Sequence, residues 1–187
     1  MLKAPLCAVF IFALMTPTIA AYAGNPKILE HHNNSSGTTL YSTPEEYARL
    51  DAASFNKEND VSFTIEALKP VTDTRTPYII RVRAVLRTWV FISEGASLKL
   101  KVDGKIISIS GPGSLRERHF ASDAVVLEEA EYPISNQQLK KIGSASNIQF
   151  RLIGDNRSIT GTFTGDMLEN IRLFSEDVPS LIGLSDN

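Results

Sequence analysis

His119 is the one histidine within the patterned part of the chain, and Ser114, Glu117 and Asp123 lie close to it in sequence. A hydroxyl, an imidazole and a carboxylate are the parts of a nucleophilic or general-base centre. They work as one only when they touch, which spacing alone does not establish. No nucleophile-elbow pattern surrounds Ser114. The stretch Gly111-Pro112-Gly113-Ser114-Leu115-Arg116-Glu117-Arg118-His119 also suggests a second chemistry. Its glycines let backbone amides turn inward as an anion nest, and Arg116, Arg118 and His119 add positive groups. It matches neither the phosphate-binding loop nor the dinucleotide fingerprint. A charged, soluble connection between strands is the plainer role.

A basic row is the next candidate. Arg81, Arg83 and Arg87 lie on one strand-like run, and Lys99, Lys101 and Lys105 on the hairpin that follows. On one sheet face they would make a cationic patch for an anionic partner such as lipid headgroups or an acidic polymer. Parity opposes this, because pairing Trp89 with Leu100 sends the lysines to the other face unless the register shifts or a bulge intervenes. Glu128, Glu129 and Glu131 on a later strand are the alternative partners of the arginines, across the sheet.

Metal ligation has little to draw on. His31 and His32 are adjacent, so in an extended chain they point apart, and zinc needs three or four ligands at suitable spacing. No metal and no cofactor is expected. Trp89 is the single tryptophan, in Arg87-Thr88-Trp89-Val90-Phe91. It reads either as a seal on the core or as a carbohydrate platform with Phe91, Tyr78 and Tyr132 as neighbours, and the core role is the expectation.

These groups need a scaffold, and hydropathy patterning describes one. Val61, Phe63, Ile65 and Ala67 alternate with polar residues as a half-buried strand. Tyr78 to Ile92 reads as one long strand, and Leu98 to Val102 and Ile106 to Ile109 as a hairpin closed by Asp103-Gly104. Gly111 to Asp123 reads as a polar loop, followed by a strand from Ala124 to Ile134. Ser135-Asn136-Gln137-Gln138 is a capping box that opens a short helix ending at Gly143. Ile148 to Leu152 and Ile159 to Phe163 are strands around a Gly154–Arg157 turn, and Asp166 with Glu169 caps a last helix. A further box, Thr43-Pro44-Glu45-Glu46, predicts a helix over Tyr47 and Leu50. Strands grouped together with helices at the ends make an α+β fold. The expectation is a mainly antiparallel curved sheet of six to eight strands, a sandwich or partly open barrel, with two or three short flanking helices.

The chain has 187 residues, 43% of them hydrophobic, which suits one domain and excludes a large multidomain enzyme. Nineteen basic residues against 21 acidic ones leave a net charge of −2, so no overall field draws it to nucleic acid. Lys3, the apolar run Leu6–Met15, Pro17 and Ala21-Tyr22-Ala23 make a signal peptide over residues 1–23, cleaved before Gly24. The apolar run is too short for a membrane span. Cleavage would remove Lys3 and the single cysteine, Cys7, leaving a thiol-free chain held by its core alone. Residues 24–42 read as a flexible leader, 43–178 as the domain and 179–187 as a flexible tail.

The resulting expectation is a periplasmic or secreted, non-enzymatic domain. It would bind or modulate a cell-envelope or extracellular component, a protein or an anionic material, through Arg116, Arg118, His119, Arg81 and Arg83. One alternative is an exported hydrolase or transferase using His119 with carboxylates such as Glu117, Asp123 or Glu128. Another is a subunit of an envelope assembly, which requires an exposed apolar patch or an open strand edge.

Overall fold

Alternation of side chains on β5 (Asp60–Lys69) and β6 (Tyr78–Leu86) sets the central pair of the molecule. Val61, Phe63, Ile65 and Ala67 of β5 and Tyr78, Ile80, Val82, Ala84 and Leu86 of β6 all point inward and are buried. Each large apolar side chain so buried contributes roughly 1.5–3 kcal/mol. The computed structural model describes residues 28–54, 59–114, 118–122 and 124–184. The expected signal peptide and its cleavage point lie outside the described residues, as do Arg116, Glu117 and Asp123.

The fold is α+β, with two antiparallel sheets and two flanking helices. The first sheet runs β1 (Leu29–Asn33), β2 (Thr38–Ser42), β5, β6, β10 (Val125–Ile134), β9 (Arg118–Ser122), with β3 (Glu46–Tyr47) also paired to β5. The second runs β4 (Arg49–Leu50), β12 (Ser158–Thr162), β11 (Ile148–Ile153), β7 (Gly95–Val102), β8 (Lys105–Gly111). The core lies between them. Phe63 of the first sheet meets Phe150 and Phe163 of the second at ring-centroid distances of 5.0 and 4.7 Å. The hydroxyls of Tyr132 and Ser97 bond across the same layer at 2.9 Å. Gly111 of β8 lies so close to β10 that a Cβ there would overlap the Glu131 carbonyl oxygen. The β3–β4 segment passes from one sheet to the other, so the two meet along two seams.

Helix α1 (Asn136–Gly143) begins at the expected capping box, with Ser135 and Gln138 exchanging hydrogen bonds. Helix α2 (Gly165–Leu181) is capped by Thr164, and Met167, Ile171, Phe174 and Val178 form its buried stripe. Phe174 meets Tyr78 edge-on at 6.3 Å. Among the described residues no helix is long and apolar enough to cross a membrane.

Several expectations need correction. Within the supposed leader, β1 and β2 form a hairpin whose second strand pairs with β5, placing Leu40 opposite Leu68 and Tyr41 opposite Ala67. Asn33 to Gly37 is its turn: Asn33 Oδ1 accepts the amides of Ser35 and Ser36, and Gly37 takes a φ of 66°. Burial of Ile28 and Tyr41 supplies the stabilisation that the polar composition hid. The Thr43 box forms no helix. Thr43 Oγ1 instead accepts the amide of Ile65, Glu45 takes the Ser62 hydroxyl, and Glu46 takes the Asn170 amide group. Tertiary partners claim the polar groups that a cap would have used, and the chain continues as β3 and β4. At the other end α2 runs through Pro179 to Leu181, because Val178, Pro179 and Ile182 are all buried. The domain therefore extends beyond both expected limits. Finally, β6 does not pair with β7: its neighbours are β5 and β10, while β7 lies between β11 and β8. The arginine and lysine rows belong to different sheets.

Candidate functional site

Strand β10 carries three glutamates whose fates differ by parity. Glu129 and Glu131 point outward and pair with the arginines in register with them, Arg83 and Arg81. Glu128 stands opposite Ala84, in the inward row with Val126, Ala130 and Tyr132, and is fully buried. It does not pair with the β6 arginines as expected. A carboxylate inside a core is costly unless its oxygens are hydrogen-bonded. Here they are: Oε1 accepts the amides of Val90 at 2.6 Å and Phe91 at 2.9 Å. Oε2 accepts the amide of Ile92 at 2.9 Å and the hydroxyl of Ser114 at 2.6 Å. Arg118 Nε donates to that same hydroxyl at 2.9 Å and stands 3.8 Å from Oε2.

Three consecutive amides reach one carboxylate only if the chain turns around it. The run that reads as one strand from Tyr78 to Ile92 therefore stops at Leu86, and Phe91 takes a φ of 57°. A left-handed conformation in a bulky residue stores about 1–3 kcal/mol and persists only where the surroundings over-determine it. Two other loops close around the same turn. Ser114 donates its amide to the Ile92 carbonyl, and Asp155 donates its own to the Phe91 carbonyl. Arg157 Nη2 reaches the Thr88 carbonyl at 3.1 Å, and the Ser93 hydroxyl donates to Asp155. Gly154 is required, since a Cβ there would overlap the Val90 carbonyl oxygen.

This scaffold presents aromatic rings at the surface. Trp89 and Phe91 stack at 5.7 Å with 27° between their planes, and Phe120 of β9 meets Trp89 edge-on at 5.4 Å. The Arg118 guanidinium lies 4.8 Å from the Phe91 centroid, a cation–π contact. Phe120 is 70% exposed, while Trp89 and Phe91 are half-buried. Trp89 packs on the core edge as expected and also belongs to a surface cluster. Of its expected neighbours only Phe91 is present, because Tyr78 and Tyr132 are buried in the core.

Arg118 and His119 sit at this end of the molecule, on the edge strand β9. Arg118 is turned inward toward Ser114 and Glu128, and His119 is exposed in register with Leu127. Ser114 is fully buried beneath them, with its hydroxyl engaged by both neighbours. Arg81 and Arg83 lie elsewhere, on the outer face of the first sheet. Arg81 makes two 3.0 Å hydrogen bonds to Glu66 and a 2.8 Å contact with Glu131, and the Glu66 bonds hold its guanidinium above the ordinary range. Arg83 pairs with Glu45 and Glu129. A cleft of about 360 Å³ opens beside Arg81 under the 71–77 loop, but the carboxylates of Glu66 and Glu131 line it too and balance that cation. Among the described residues no cluster of three or more His, Cys, Asp or Glu is placed to hold a metal ion.

Phe120 is the site residue that sequence reasoning missed, and Glu128, named there as an arginine partner or a carboxylate beside His119, has a different role. Parity held the signal for Glu128: it shares the inward phase of Val126, Ala130 and Tyr132, which sets it apart from Glu129 and Glu131. The chain matches no protein-family model, no curated protein and no solved structure.

Proposed function

We propose that the protein is an exported, non-enzymatic domain that binds a carbohydrate-bearing component of the cell envelope or extracellular space at its aromatic end. The two sheets, joined at two seams, serve as a partly open barrel that carries the site. One observation carries this reading: Trp89 and Phe91, on the turn whose amides Glu128 accepts, form a surface cluster with Phe120 of β9. Sugar rings stack on aromatic faces and take hydrogen bonds from polar groups around them. Ser93, Asp155, Asn156 and Arg157, beside the aromatic turn, are such groups. The signal-like pattern of residues 1–23 supports a ligand outside the cytoplasm.

Catalysis has less support. Glu128, one carboxylate proposed to work with His119, is spent on backbone amides, and Ser114 is buried beneath the surface. A glycan array probed with the purified mature chain tests the binding reading. Retention of one glycan class, lost in Phe120→Ala, supports it. Uniform failure to bind, or turnover of a glycan that depends on His119, refutes it.

Assembly has one observation in its favour: β9 is an edge strand that carries the exposed Phe120. Concentration-dependent self-association that Phe120→Lys abolishes would favour that role over glycan binding.

A further inference from the structure

The second sheet has an outer face unlike the first. Its register aligns Arg49, Thr162, Gln149, Lys101 and Ile106 in one row across the strands. Thr160, Arg151, Lys99 and Ser108 form the next row. From β12 to β8 neither row holds an Asp or Glu; one carboxylate, Asp51, stands at the β4 end, where its amide donates to the Thr160 carbonyl. The cations that neighbour one another most closely, Lys99, Lys101 and Arg151, are exposed. Among the described residues none of the three forms an ion pair; Arg151 has only the Ser158 hydroxyl, at 3.2 Å. Asp103, the nearest carboxylate along β7, is turned to the amides of Ser146 and Asn147. The contrast with Arg81 and Arg83, each matched by two glutamates, is the point of interest on a chain whose net charge is −2.

We infer that this face docks on the surface of an anionic lipid bilayer. Like-charged side chains directly opposite one another repel across a sheet. An array left without counter-charges is complementary to an external layer of anions. Ile106 selects the bilayer over a soluble polyanion. It is 69% exposed and directly opposite Lys101 in the same row, an apolar side chain set among cations. Such a residue inserts at the headgroup–acyl boundary, while the cations meet the phosphates. None of the aromatic-end residues belongs to these rows, and the inference does not rest on their ligand.

Co-sedimentation of the mature chain with vesicles of phosphatidylcholine alone, or mixed with phosphatidylglycerol, tests the inference. Binding is expected only to the anionic vesicles and is lost at high salt. Lys101→Gln lowers the partition coefficient about five-fold, Lys99→Glu with Arg151→Glu abolishes binding, and Ile106→Ser weakens it at constant charge. Thermal melting of each variant confirms its fold, and Lys101→Gln alone decides the matter if the double reversal does not fold. No binding by the wild type at low salt overturns the inference, as does unchanged binding by Lys101→Gln. So does an Ile106→Ser variant that binds like wild type while dextran sulfate competes fully, which would assign the face to soluble polyanions.

Discussion

The Glu128 carboxylate stands 2.9 Å from the amide of Phe91, a bulky residue held at a φ of 57°. The buried charge and the strained backbone need each other. The turn gives the carboxylate its amide donors, and the carboxylate holds the turn. Glu128→Ala leaves the amides of Val90, Phe91 and Ile92 without their acceptor, together with the Ser114 hydroxyl. A loss of about 3–5 kcal/mol is expected, as for the broken partner of a buried ionic group. Urea unfolding measures the loss, and the emission of Trp89, the single tryptophan, should shift to the red as the turn loosens.

At Phe91 the backbone conformation and the ring can be separated. Phe91→Ala removes the ring but keeps a Cβ at positive φ, whereas Phe91→Gly relieves that strain. The glycine variant should therefore be the more stable of the two by about 1 kcal/mol, against the usual trend for glycine. Paired denaturation curves provide the comparison.

Gly154 lets the 154–157 loop approach Val90. Gly154→Ala sets a Cβ against the Val90 carbonyl and side chain, so one of the two backbones must move. Overpacking of this kind costs about 1–3 kcal/mol. The displacement should also appear in Trp89 emission, while Gly165→Ala, where nothing lies within 4 Å, should leave the emission unchanged.

Burial pushes the Tyr132 hydroxyl up to about 12, with the Ser97 hydrogen bond acting in the opposite direction. An ordinary phenol ionises near about 10. Between these values the unfolded chain gives up its proton and the folded one does not. Stability contributed by the neutral buried phenol is thus full below pH about 10 and falls by roughly 2–3 kcal/mol as the pH rises through about 12. Tyr132→Phe should lack this part of the fall, at a cost near neutral pH of about 1 kcal/mol for the Ser97 bond. Thermal melts of both proteins across the alkaline range would show converging curves.

Features that rest on local chemistry were legible in the sequence. Asp103-Gly104 closes its hairpin with φ values of 45° and 86°, Ser135 and Gln138 cap α1, and alternation marks β5, β6 and β11. The errors share one cause, which is that a distant partner decided the local structure. Thr43, Glu45 and Glu46 carry a helix-start signature but bond to β5 and α2. Leu40 and Tyr41 gain their burial from a strand more than twenty residues away. The strand ending at Leu86 stops because Glu128, later in the chain, collects the amides of residues 90–92. Arg118 was legible as a cation but not as one turned inward, and Phe120 lay in a stretch read as polar loop.

The most direct test of a preformed aromatic site is a titration followed by the emission of Trp89. Glycans of the class retained on the array are added to the wild-type chain from Gly24 onward and to its Phe120→Ala variant, whose stability should stay within about 0.5 kcal/mol because the ring is mostly exposed. The account predicts a saturable spectral change in the wild type and none in the variant. An identical response in both proteins, or saturable binding with no change at Trp89, would contradict it.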